Sequence, residues 1–134
     1  MQAAAILAAA LLCAGCGGEL SADALSKQAD SVRSLAAEGA LLAEDSSAGK
    51  TTHTFRRVHS SDLGKAASKE ATSLETAKTK PALESERHRL ASLAQRISDD
   101  LDRLGDASKD EQRSLANQLQ RAADQSNKIA EGLK

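Results

Sequence analysis

From Leu25 onward, apolar residues return at intervals of three, four or seven: Leu25, Val32, Leu35 and Leu42, with Ala29, Ala36 and Ala43 between them. That spacing draws one stripe down an α-helix. Ser21 stands where a helix N-cap is wanted, and Gly49 in "SSAGK" supplies the left-handed turn on which helices commonly end. A second stripe, Phe55, Val58, Leu63, Ala67, Ala71 and Leu74, follows three candidate N-caps, Thr51, Thr52 and Thr54. It slips between Val58 and Leu63, and Gly64 costs about 1 kcal/mol relative to Ala inside a helix, so a kink or restart is expected over 60–64. Pro81 opens the next segment, in which Leu83, Leu90, Ile97 and Leu104 recur every seven residues with Leu93, Ala94 and Leu101 between them. Gly105 ends it. "SKDE" then reads as a capping box from Ser108 to Glu111, ahead of a last seam of Leu115, Leu119, Ala122, Ser126, Ile129 and Leu133.

Four amphipathic segments of about 20 to 27 residues with short joins predict rods about 30 to 40 Å long, at roughly 1.5 Å per residue. The expected fold is all-α, an antiparallel up-down-up-down four-helix bundle over residues 22–134. The heptad spacing of the last two segments leaves a rival arrangement, a coiled-coil hairpin that completes its core with another chain. Composition favours helices in either case. The 134 residues hold one Phe, one Met, one Pro and neither Trp nor Tyr, so Leu, Ile, Val and above all Ala must fill the core.

The net charge is only -1, but it is unevenly spread. Residues 19–45 carry six acids against Lys27 and Arg33, while residues 46–69 carry Lys50, Arg56, Arg57, Lys65 and Lys69 against Asp62 alone. Two readings follow: the segments lie side by side and attract each other, or the basic one reaches toward anionic head groups. With no excess of positive charge and no stacking aromatics, nucleic-acid binding is not expected.

Residues 3–12 are unbroken Ala, Ile and Leu. The run matches the apolar region of a secretory signal, which needs about 7 to 15 such residues, and is too short for a bilayer span of roughly 20. It is followed by "CAGC", with Ala14 and Gly15 immediately before Cys16. This junction resembles the lipobox of bacterial lipoproteins, in which a Leu-like residue and two small residues precede the lipid-bearing cysteine. Cys13 then stands at the Leu-like position, and Ala14 and Gly15 form the small pair. The resemblance implies cleavage before Cys16 and attachment of a diacylglycerol thioether to it. The expected organisation is a signal peptide over 1–15, the lipidated cysteine and a short tether over 16–21, and the bundle over 22–134. As a CxxC redox or metal pair, Cys13 and Cys16 lack both a second pair and a βαβ setting.

Other chemistry is thin. "GKT" at 49–51 lacks the upstream Gly of a phosphate loop, having Glu44 there, and no buried strand precedes it. No GxSxG turn marks a nucleophile. In "SDDLD", Asp99 and Asp102 are i, i+3 neighbours flanked by Arg96 and Arg103, which reads as paired surface charge. His53 and His59, six residues or about 600° apart on a helix, point to different faces, and His88 joins them only through the fold. Around Phe55 these polar groups are expected to seal one end of the bundle. The reading is therefore of a non-enzymatic, lipid-anchored structural or protein-interaction module at a bacterial envelope, facing the periplasm or cell exterior. Its expected partners are the membrane, through lipid on Cys16, and an envelope protein, with oligomers open and no cofactor. The alternative is a small-ligand or metal-binding envelope protein using His53, His59 and His88.

Overall fold

The first free N–H groups of an α-helix need acceptors, and three of the four helices begin at a hydroxyl that supplies one. The computed structural model describes residues 18–134, and the leader, Cys13 and Cys16 lie outside the described residues. Helix α1 (Ala22–Ser47) is capped by Ser21, whose Oγ accepts from the Ala24 N–H at 3.1 Å. Helix α2 (His53–Thr76) is capped by Thr52, which accepts from the Phe55 N–H at 3.2 Å. A 3-10 turn at Pro81–Leu83 leads into α3 (Glu84–Leu104). Helix α4 (Lys109–Gly132) opens on the expected capping box, in which Ser108 and Glu111 each accept the other's backbone N–H. Gly49, with φ of 74°, makes the left-handed turn after α1.

Neighbouring helices run antiparallel. Ser31 meets Glu70 and Glu38 meets His59 between α1 and α2, Gly64 meets Ser98 between α2 and α3, and Ala29 meets Ser126 between α1 and α4. The up-down-up-down bundle is therefore the fold. One end, called proximal here, gathers the start of α1, the α2–α3 linker and the end of α4. The distal end holds the α1–α2 and α3–α4 turns.

Most intimate packing joins α1 to α4 and α2 to α3. Each seam is rich in small buried residues: Ala29, Ala36, Ala40 and Ala43 on α1 with Ala122, Ala123, Ser126 and Ala130 on α4, and Ser60, Gly64, Ala67 and Ala71 on α2 with Ala91, Ala94 and Ser98 on α3. In each seam a buried serine crosses to a backbone carbonyl, Ser126 Oγ donating to Ala29 O at 2.7 Å and Ser98 Oγ to Gly64 O at 2.9 Å. Leu25, Leu74, Leu90, Ile97, Leu101, Leu104, Leu115 and Leu119 fill the space between the two pairs. The heptad seams of α3 and α4 are thus completed by α1 and α2 of the same chain, which answers the rival hairpin arrangement.

The expected kink over 60–64 is absent. Helix α2 runs unbroken from His53 to Thr76. Five residues separate Val58 from Leu63, a turn of about 500°, so in a straight helix Val58 lies roughly 140° from the core face. The slip in the pattern marks a change of face, and Val58 and Phe55 are 57% and 53% exposed.

Two glycines allow close approach, with opposite consequences. A Cβ on Gly39 would sit 2.6 Å from Cδ2 of the fully buried Leu101, while one on Gly64 would meet Oδ1 of the exposed Asp102 at 2.7 Å. Leu101 has nowhere to move, whereas Asp102 can swing into water. Gly39→Ala is expected to lower stability by about 1 to 2 kcal/mol through overpacking, and Gly64→Ala to raise it by up to about 1 kcal/mol through helix propensity, both measured by denaturant unfolding.

Candidate functional site

Two regions hold side chains that the core does not explain. The first is the proximal end. The Leu20 N–H donates to the Lys78 carbonyl at 2.7 Å, and Leu20 pairs with Thr79 in a single parallel bridge, so the expected tether is fastened to the α2–α3 linker from residue 20 onward. The linker is held in turn by Arg87 on α3. Its side chain is 6% exposed, and the guanidinium donates to the carbonyls of Leu74 (2.7 Å) and Glu75 (3.1 Å), two of the acceptors left free at the end of α2, and to Glu84 Oε1 at 2.7 Å. Thr79 Oγ1 donates to the other Glu84 oxygen at 3.3 Å. Nothing in the sequence pattern distinguishes Arg87 from its solvated neighbours, since its role depends on where α2 stops.

The second region is the outer face of α1 and α2 at the distal end. Leu41 on α1 is 59% exposed, and with Phe55 and Val58 it makes the exposed large apolar side chains among the described residues. Phe55 does not seal the bundle end. It stacks on the His59 ring, with centroids 5.4 Å apart and planes 23° apart, and His59 Nε2 lies 2.9 Å from Glu38 Oε1. Leu41 escaped notice in the sequence because Leu42, its neighbour, already satisfied the stripe.

Beside this patch runs an open groove of about 500 Å³ between the start of α2 and the α3–α4 turn, lined by His53, Arg57, Ser61, Lys65, Asp102 and Asp106, among others. Several of its charges are paired within it: His53 Nε2 and Arg57 Nε lie 3.3 and 3.6 Å from Asp106 Oδ1, and Lys65 Nζ lies 4.0 Å from Asp62 Oδ1. Arg56 Nε donates to Gly105 O at 3.2 Å.

The three histidines do not come together. His53 joins Asp106 at the distal end, His59 faces Glu38 on α1, and His88 lies 3.2 Å from Glu84 at the proximal end. Among the described residues no group of three or more His, Cys, Asp or Glu side chains is placed to hold a metal ion. The acidic segment 19–45 and the basic segment 46–69 do lie side by side, yet few pairs join them, chiefly Lys50 with Asp45 (3.3 Å) and His59 with Glu38. In "SDDLD", Arg103 pairs with Asp100 at 3.6 Å and Asp99 accepts from Gln95. No helix among the described residues is long and apolar enough to cross a membrane. Neither a protein family, nor a characterised protein, nor a solved structure matches this chain.

Three carboxyls depart from their usual behaviour. The hydrogen bond from Arg87 holds Glu84 below the ordinary carboxylate range, and the backbone N–H of Ser108 does the same for Glu111. Burial pushes Asp100 upward. A lowered carboxyl contributes stability that is present above its unfolded value and lost as pH falls through its folded value, whereas Asp100 works in the opposite sense. Net stability is expected to fall between about pH 5 and about pH 3, and Glu84→Gln to shrink that fall, as read by urea unfolding at a series of pH values. At the distal patch, Phe55→Ser with Val58→Ser is expected to cost less than about 1 kcal/mol, as surface positions do. A loss of several kcal/mol in the same measurement would return Phe55 to a sealing role.

Proposed function

We propose that this chain is a lipid-anchored helical-bundle protein of a bacterial envelope, tethered through Cys16 and acting as a structural or protein-interaction module on the outer side of the membrane. The observation that carries the reading is the junction itself. "CAGC" follows an apolar run of signal-peptide length, and the chain becomes part of the bundle only four positions later, where Leu20 is bonded to Lys78. At roughly 3.5 Å per residue, four steps reach about 14 Å. A bundle anchored at Cys16 therefore stands with its proximal end at the head groups and its distal end about 35 to 40 Å away, given a 26-residue α1 at roughly 1.5 Å per residue.

Anchoring needs more than one acyl chain. Each buried methylene contributes about 0.8 kcal/mol and a single chain holds only marginally, so the two chains of a diacylglycerol give durable attachment. The short tether then acts as a spacer of limited slack, and the exposed Leu41, Phe55 and Val58 are held away from the bilayer, where another protein meets them.

In a bacterial host, intact mass and membrane fractionation test this. Cys16→Ser is expected to leave an unprocessed precursor without the added lipid mass, while Cys13→Ser is processed and lipidated as the native chain is. The reverse pattern, or a native chain recovered without lipid in the soluble fraction, overturns the assignment.

A further inference from the structure

We infer that the groove between α3 and α4 is a docking site for an acidic, amphipathic segment of a partner protein, held by Arg96 and Arg121. The inference deepens the reading of the bundle as a protein-interaction module and rests on that part of it. Close packing joins α1 to α4 and α2 to α3, so the α3–α4 seam is a looser one, on the side of the bundle away from the α1–α2 seam. Two hollows of about 670 and 210 Å³ lie along it and share Leu93, Arg96 and Gln125, which makes them one groove. From His88 to Asp100 it follows α3 for twelve positions, about 18 Å at roughly 1.5 Å per residue.

The charge of the groove is one-sided. Arg89, Arg96 and Arg121 line it against one acid, Asp100. Arg89 is already paired with Glu86 at 3.0 Å, and Asp100 with Arg103 at 3.6 Å. Asp99 and Asp124 are not part of the lining, and each accepts from a glutamine one turn earlier on its own helix. Seven of the nine arginines bond to a carboxylate, a side-chain amide or a main-chain carbonyl. The other two, Arg96 on α3 and Arg121 on α4, have no protein partner among the described residues, and both line the smaller hollow. Beneath them the lining is apolar, with Leu93, Ile97, Ala122 and Ile129 buried.

These groups specify the occupant. A guanidinium offers a planar fork of N–H donors that a carboxylate accepts in pairs, and an apolar cleft between two helices suits the apolar face of a third. A segment with carboxylates one turn apart meets Arg96 and Arg121 together, while its small apolar side chains lie over Leu93 and Ile129. Single-stranded nucleic acid is held by stacking on aromatic rings, and no Phe, Tyr or Trp lines the groove. With the bundle upright on its anchor, Arg96 stands twelve positions beyond Glu84 at the start of α3, about 18 Å clear of the proximal end and its lipid head groups.

The test uses the full chain in mild detergent and a fluorescein-labelled helical peptide of about 15 residues, Ala and Leu with Glu at every fourth position, long enough to fill the groove. Fluorescence anisotropy is expected to show binding that added salt weakens, and no binding of the same peptide with Lys in place of Glu. Arg96→Glu combined with Arg121→Glu is expected to lower the affinity about tenfold, as reversal of two exposed charges would. Lys109→Glu combined with Arg113→Glu changes the net charge equally outside the groove and is expected to leave the affinity unmoved. Helicity by circular dichroism stays the same in both variants. No binding of the acidic peptide, equal weakening by the two double variants, or displacement of the peptide by phosphatidylglycerol vesicles would each overturn the assignment, the last by giving the groove to lipid. Intact mass reports the lipid on Cys16 separately, so failure of the anchor and failure of the groove are told apart.

Discussion

Close approach of helix backbones is the constraint on which this bundle depends. With one Phe, one Met and neither Trp nor Tyr, the chain cannot fill a wide core. It brings helices together in pairs instead, over alanine, serine and glycine. Dispersion falls away steeply with distance, so small side chains contribute only when the opposing backbone is near. The serine bonds across the two tight seams are a consequence of the same closeness: Ser126 and Ser98 reach a main-chain carbonyl on the facing helix because nothing larger stands between. They satisfy the only polar atom these side chains bury. The leucines then have a different task, joining the α1–α4 pair to the α2–α3 pair, and Leu101, lodged against Gly39, sits where the pairs meet.

Pairing of this kind leaves the ends of the bundle to be tied by other means. At the proximal end, the stop of α2 exposes carbonyls that no helix can satisfy, and the buried Arg87 takes two of them while its charge is balanced by Glu84. The linker so held offers its backbone to Leu20. Leu20, ahead of the first turn of α1, is thereby part of the folded body. At the distal end the turns are short and capped, and charge is arranged in local pairs around Asp106, Asp45 and Glu38. The proximal end is thus tied by Arg87 and Leu20, and the exposed apolar side chains lie toward the distal end. Leu41, Phe55 and Val58 each keep more than half their surface in water, so they contribute little to the stability of the bundle.

Periodicity and caps are local properties, and by themselves they determined a great deal: four helices, the hydroxyl caps at Ser21 and Ser108, a choice of three threonines for the cap of α2, the turn at Gly49 and the buried seams of α1, α3 and α4, including Ser126. Each follows from side chains a few residues apart along one helix. What only the tertiary structure decided are relations between helices. The break between Val58 and Leu63 has two local solutions, a bent helix with both residues inside or a straight one with Val58 outside, and packing of Gly64 against Ser98 selects the straight one. Arg87 looks like any solvated arginine until the end of α2 is set beside it, and His88, which only the fold could bring to His53 and His59, is set at the opposite end of the bundle beside Glu84. Spacing along a helix specifies which way a side chain points, but what it meets there depends on a neighbour whose distance and register are set by the whole core.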